Sequence, residues 1–192
     1  MGYNYYSSYD CFIYYILMKK IPRRIGKAHW LWLQFSKSDM KILEKIKTQV
    51  NNNFSGPEFE THLTLIGPYL KFKKKNNKLI INKSKKIKKF KINLIKYYFQ
   101  NNKFTSFYIK IEKSKKLLKI RQKFLNTGYK IQNVPYNPHI SLFYGKIKKN
   151  KKIKLISKLP KLNKTCTVEK ICIVDVNESI NQWKIIEKIK LN

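Results

Sequence analysis

Two strings of four residues, His62-Leu63-Thr64-Leu65 and His139-Ile140-Ser141-Leu142, constrain this chain more than any other feature. Each is His-x-Thr/Ser inside an apolar run, and together they hold two of the chain's three histidines. Side chains alternate along a β-strand, so His62 and Thr64 share one face and Leu63 and Leu65 the other. The same parity sets His139 and Ser141 against Ile140 and Leu142. Each strand is thus expected to be anchored from behind by aliphatic side chains while it presents one imidazole and one hydroxyl. Two such strands facing each other would make a symmetric site for a phosphate group.

The strings lie 77 residues apart. A gapless shift of that length also sets Trp30-Leu31-Trp32-Leu33 on Phe107-Tyr108-Ile109-Lys110, Met40 on Leu117, Leu43 on Ile120 and Phe59 on Tyr136. Each half reads as strand, helix, motif strand, which is an internal repeat. A lone histidine in a strand is more often a hydrogen-bonded structural residue than a catalyst. Two copies at matching places of a repeat favour chemistry. His29, the third histidine, precedes the first aromatic strand and reads as structural or surface.

The patterning predicts a strand over Ala28–Phe35 and a helix over Asp39–Val50 capped by Ser36 or Ser38, with Met40, Leu43, Ile46 and Val50 at helical spacing. The first motif strand is expected over Phe59–Ile66, ended by Gly67-Pro68. Residues 71–89 read as a lysine-rich loop with one short strand near Leu79–Ile81. Strands over Phe90–Phe99 and Phe104–Ile111 flank a turn at Asn101-Asn102. A helix from Ser114 to Leu125 stops at Gly128, and the second motif strand runs from Tyr136 to Tyr144. A lysine-rich helix over Lys149–Leu159 and a closing strand pair, Thr165–Val174 and Trp183–Leu191, complete an α+β domain with helices outside.

At 192 residues the chain is long enough for one well-buried core, and 43% hydrophobic with 14% aromatic residues argues against disorder. The net charge of +33 suits a polyanionic partner such as RNA. Only Arg23, Arg24 and Arg121 are arginine, however, so lysine abundance written by an AT-rich genome is an equal reading. Lysine runs such as Lys73–Lys75, Lys85–Lys89 and Lys148–Lys152 are solvated faces or a rim guiding an RNA end. Cys11, Cys166 and Cys172 form no metal or disulfide spacing and fit a reducing compartment, cytoplasmic or nuclear. No apolar run reaches the ~20 residues of a membrane span. The tyrosine-rich start has its positive charge after the apolar stretch, opposite to a secretory signal, and reads as a flexible extension over residues 1–20. Residues 21–192 then form a single domain, expected to be monomeric.

On the two His-x-Thr/Ser strings and their repeat, the chain resembles the 2H phosphoesterase superfamily. Within it, the likeness is closest to the cyclic phosphodiesterases. It is carried by the Trp30-Leu31-Trp32 strand, by Phe59-Glu60-Thr61-His62-Leu63-Thr64-Leu65, by Pro138-His139-Ile140-Ser141-Leu142-Phe143-Tyr144-Gly145 and by the Trp183 strand. Thr61 departs from the proline usual before the first histidine. The resemblance implies a bilobal, pseudo-two-fold LigT-like fold with two antiparallel sheets flanking a central cleft. It implies metal-independent opening of a nucleoside 2′,3′-cyclic phosphate or ADP-ribose 1″,2″-cyclic phosphate, with no cofactor. His62 and His139 would be the acid/base pair, Thr64 and Ser141 the phosphate ligands, and Tyr144 the ring that packs on the nucleoside.

Chemistry agrees. Hydrolysis of a cyclic phosphodiester needs one proton taken from water and one given to the leaving oxygen, and imidazole does either near neutral pH. Hydroxyls stabilise the charge building on the non-bridging oxygens. Of the two histidines, His139 is taken as base and His62 as acid. Two alternatives stay open: an RNA 3′-end trimming exonuclease or 2′-5′ oligonucleotide phosphodiesterase of the same superfamily, and a non-catalytic basic RNA-binding module.

Overall fold

The computed structural model describes residues 28–69, 74–125, 135–176 and 179–192. The N-terminal extension and the helix stop at Gly128 lie outside these residues. Among the described residues there are seven strands: β1 (Ala28–Phe35), β2 (Leu63–Tyr69), β3 (Phe90–Tyr98), β4 (Phe107–Ile111), β5 (His139–Phe143), β6 (Thr165–Val176) and β7 (Lys184–Lys190). Four helices accompany them: α1 (Lys37–Phe54), α2 (Lys74–Lys85), α3 (Lys115–Leu125) and α4 (Lys149–Ile156).

The strands pair in the order β1-β2-β5-β4-β3-β6-β7, all antiparallel, and β1 also pairs with β6. Six strands therefore close into a ring, with β7 attached outside on β6. The two expected sheets are halves of this ring. On one side they meet at the single pair Leu63–Ile140 between the motif strands. On the other, the 12-residue β6 reaches both halves, and its Val168 pairs with Phe35 of β1 and with Phe90 of β3. Between the motif strands the ring is held by this one pair.

Local chemistry explains the elements around the motif strands. Ser36 caps α1 by accepting from the Asp39 N–H at 3.2 Å, while the Asp39 carboxylate takes the Ser36 hydroxyl at 2.6 Å and the Thr167 N–H at 2.8 Å. Leu43, Ile46 and Val50 of α1 and Leu117, Ile120 and Phe124 of α3 are buried against the strands. So are Leu63, Leu65, Ile140 and Leu142, as the strand parity requires. The aliphatic residues of both motifs thus hold the strands down from the helix side.

Three expectations change. Residues 74–85 form a helix, not a loop with a strand: the inward positions Asn77, Ile80, Ile81 and Ser84 have helical spacing, but two of the four are polar. The motif strands begin at Leu63 and His139, later than expected, and β2 continues through the cis Gly67-Pro68 bond to Tyr69. The gapless 77-residue correspondence holds for the motifs and for the inward helix positions Met40/Leu117 and Leu43/Ile120, but not for the first strands. Thr64 pairs with Trp32 and Ser141 with Tyr108, so Trp32 corresponds to Tyr108, one residue off. Since a one-residue slip exchanges the faces of a strand, the pairing rather than the sequence shift identifies the equivalent residues.

Candidate active site

The two motifs lie side by side across the one β2–β5 pair. Counting outward from Leu63–Ile140 sets His62 toward Ser141 and Thr64 toward His139. The histidines are close enough for the charge of His139 to depress the pKa of His62. All four expected residues are thus brought to one place.

Each imidazole is held the same way. His62 Nδ1 lies 2.6 Å from the Glu60 carbonyl and His139 Nδ1 lies 2.7 Å from the Asn137 carbonyl. A carbonyl only accepts, so both rings carry their proton on Nδ1 and keep the Nε2 lone pair for substrate. Each also has an aromatic neighbour on the adjoining strand. Trp32 stacks on His62 with centroids 3.5 Å apart and planes 7° from parallel; Tyr108 tilts against His139 at 5.0 Å. These two aromatics are the residues paired with Thr64 and Ser141.

The surroundings differ. His62 is 5% exposed, and burial drives its pKa down to about 3. The Glu60 carbonyl opposes that fall, while the charges of His139 and Lys47 add to it. His139 is only half-buried; burial lowers its pKa too, against the pull of the Asn137 carbonyl. Behind His62, Cys172 Sγ donates to Gln34 Oε1 at 3.4 Å, and Gln34 Nε2 donates to Glu60 Oε2 at 3.2 Å. Buried Lys47 bonds the Phe59 carbonyl at 2.5 Å and Glu44 at 2.8 Å, fixing the segment that leads into His62. Strand parity could have flagged Gln34, a lone polar residue on the face of Trp30 and Trp32; nothing in the sequence points to Lys47 or Asn137.

Tyr144 leaves the end of β5 on the Ser141 side. Gly145, at φ 146°, permits the turn, and a side chain there would meet the Phe143 ring at 2.7 Å. The Tyr144 hydroxyl hydrogen-bonds Ser141, and burial raises its pKa to about 12. Its ring is 5% exposed, packed against Phe59 at 4.3 Å, Trp183 at 5.6 Å and Phe104 at 6.1 Å. Beside His62, a hollow of about 660 Å³ is lined by Trp32, Phe59, Glu60 and Trp183, with the C-terminal half of α1 opposite. His29 pairs with Tyr69 and Asp175 across β2 and β6, at the far end of β1 from Leu33, the partner of Leu63. Among the described residues, no group of three or more His, Cys, Asp or Glu side chains is placed to hold a metal ion, and no helix is long and apolar enough to cross a membrane.

No protein-family model matches the sequence, and neither does any curated protein. The structure does match. Escherichia coli LigT, solved with 3′-AMP, superposes with a TM-score of 0.61 at 14% identity, over 86% of this chain and 98% of LigT. TT0787 of Thermus thermophilus superposes with a TM-score of 0.54 at 16% identity, over 85% of this chain and 97% of its own. A further protein described as a phosphoesterase gives 0.58 at 14%, over 87% and 99%. This is the LigT-like 2H phosphoesterase fold.

Proposed function

We propose that this chain is a 2H phosphoesterase of the cyclic phosphodiesterase type. It would open a nucleoside 2′,3′-cyclic phosphate or an ADP-ribose 1″,2″-cyclic phosphate to a phosphomonoester. The observation that carries the proposal is the pair of imidazoles, each fixed by a backbone carbonyl two residues earlier, each with a hydroxyl two residues later. That arrangement provides one proton acceptor, one proton donor and two hydroxyl donors around a single phosphate.

The unequal burial suggests the division of labour, and it reverses the assignment taken from the sequence. A general base must be neutral when substrate arrives. His62, with a pKa near 3, is neutral across the working range. A general acid must carry a proton. The half-buried His139 is the better hydrated of the two, and a bound phosphate anion would oppose the lowering of its pKa by burial. His62 then takes a proton from water, the water oxygen attacks phosphorus, and His139 protonates the departing ribose oxygen. Thr64 and Ser141 donate to the non-bridging oxygens, and Tyr144 holds the Ser141 hydroxyl in place.

Product analysis on a panel of cyclic phosphates tests this. The expected outcome is a phosphomonoester, formed equally well after exhaustive treatment with EDTA. Loss of turnover on chelation, restored by a divalent ion, would overturn the mechanism.

A further inference from the structure

The sheet continues outward from the His139 motif in two cross-strand rows. Across β5, β4 and β3, His139 pairs with Lys110 and Lys110 with Lys96. Ser141 pairs with Tyr108 and Tyr108 with Tyr98. Directly paired residues point to the same face, so a lysine row and a tyrosine row run side by side away from the candidate catalytic groups. Two strand spacings put Tyr98 about 10 Å from Ser141. Tyr98 is 42% exposed, its ring lies edge-on to Tyr108 at 5.7 Å, and Lys96 Nζ sits 5.3 Å from its centroid. At the adjoining turn, Phe104 is likewise 42% exposed, with Lys103 Nζ 5.8 Å from its ring. The Asn102 side chain fixes that turn by accepting the Phe104 and Thr105 N–H groups at 3.0 and 2.7 Å.

The row that leaves the other motif carries no exposed ring. From Thr64 it passes to Trp32 and Cys172, both buried in an apolar cluster with Val174 and Val176, and ends at the exposed Lys188 of β7. Charge is also unevenly divided. Residues 70–168, which follow the His62 motif strand, contain 30 lysines and arginines and one acidic residue, Glu112; the rest of the chain has 13 against nine. Genome-wide lysine enrichment would not by itself empty one half of the chain of acids.

We propose that the exposed face of β3 and β4 is a binding platform for single-stranded RNA, on which Lys96 and Tyr98 hold the strand upstream of the reacting end. Alternating cations and exposed rings match a polymer of alternating phosphates and bases: lysines take the backbone, and Tyr98 stacks on a base upstream of the reacting end. The choice of RNA rests on the proposed reaction, because a 2′,3′-cyclic phosphate requires a ribose.

The test compares a 2′,3′-cyclic mononucleotide with a decaribonucleotide ending in a 2′,3′-cyclic phosphate, for wild type, Tyr98→Ala, Tyr98→Phe and Lys96→Glu. Wild type should favour the decamer in kcat/KM by on the order of ten-fold or more. Tyr98→Ala and Lys96→Glu should remove that advantage through KM, leave mononucleotide turnover and thermal midpoint unchanged, and Tyr98→Phe should retain it. Equal kcat/KM for the two substrates in wild type, or equal losses on both in the variants, would overturn the platform while leaving the phosphodiesterase reading intact. If wild type turns over neither substrate, that reading fails. The platform is then decided by fluorescence anisotropy with a labelled decaribonucleotide 3′-phosphate. Weaker binding by both Tyr98→Ala and Lys96→Glu upholds it. A loss confined to Lys96→Glu reduces it to a general polyanion surface and overturns the stacking role.

Discussion

The halves that carry His62 and His139 are built alike at the motif and unlike around it. Both place an imidazole on a backbone carbonyl and pair the motif hydroxyl with an aromatic on the next strand. In the His62 half that aromatic is a buried tryptophan stacked face to face on the ring, backed by cysteine and valine. In the His139 half it is a tyrosine at the inner end of a row that leads to solvent. Shared geometry gives two groups able to move a proton; unequal hydration gives them different proton affinities. Pairs of titratable groups pushed apart in this way are how one site holds an acid and a base together.

The most severe way to break the comparison is to remove each imidazole in turn. His62→Ala and His139→Ala should each lower turnover of a cyclic phosphate by a factor on the order of 10²–10⁴. The two losses should then separate on an open phosphodiester with a 4-nitrophenyl leaving group, which departs without protonation. His139→Ala should recover most of its activity on that substrate and His62→Ala should not. Recovery by His62→Ala instead would exchange the roles, and near-normal turnover by both variants on the cyclic substrate would remove the histidines from the chemistry.

The motif strands were legible because period two separates His62 and Thr64 from Leu63 and Leu65, and burial enforces that separation. Helix α1 was legible through Leu43, Ile46 and Val50. Helix α2 was not, because its inward face includes Asn77 and Ser84, so hydrophobicity carries only part of its period. The sequence equally hid the environments that make the halves differ. Trp32 and Tyr108 become neighbours of the histidines only through strand pairing, and the gapless repeat had set Trp32 against Ile109 instead. Placement of Lys96 and Tyr98 on the rows that leave His139 and Ser141 likewise depends on two registers, β5–β4 and β4–β3, that no local pattern states.

A smaller effect sharpens the electrostatic side of the comparison. His62 owes its low proton affinity first to burial, and the Trp32 ring is part of its cover. Trp32→Phe should admit water and raise the His62 pKa toward 6.5, by on the order of one unit, in an NMR titration of the histidine Cε1 protons. His139 should not move with it. Stability carries the same signature. The folded-state pKa of His62 lies below its unfolded value, so the unfolded chain binds more protons between about pH 6.5 and 3, and stability present above 6.5 is lost as pH falls through that window. The slope from one such group reaches at most about 1.4 kcal/mol per pH unit. His62→Gln should flatten it in denaturant titrations across that range, and an unchanged slope would mean that other groups dominate acid unfolding.

The finest distinction concerns Tyr144, which joins the halves by packing on Phe59 and Trp183 of one and Phe104 of the other. Two roles are open to it, and they respond to opposite parts of the side chain. If the ring stacks on the nucleoside, Tyr144→Phe should be nearly silent and Tyr144→Ala should raise KM. If the hydroxyl orients Ser141, Tyr144→Phe should itself lower kcat, by roughly the five-fold expected for one neutral hydrogen bond of about 1 kcal/mol, with little change in KM. The 5% exposure of the ring and its bond to Ser141 favour the second outcome. Ser141→Ala provides the internal check. Once the serine hydroxyl is gone, Tyr144 has nothing to orient, and adding Tyr144→Phe to that variant should cost nothing further. Additive losses in the double variant would show instead that the Tyr144 hydroxyl acts on the substrate without passing through Ser141.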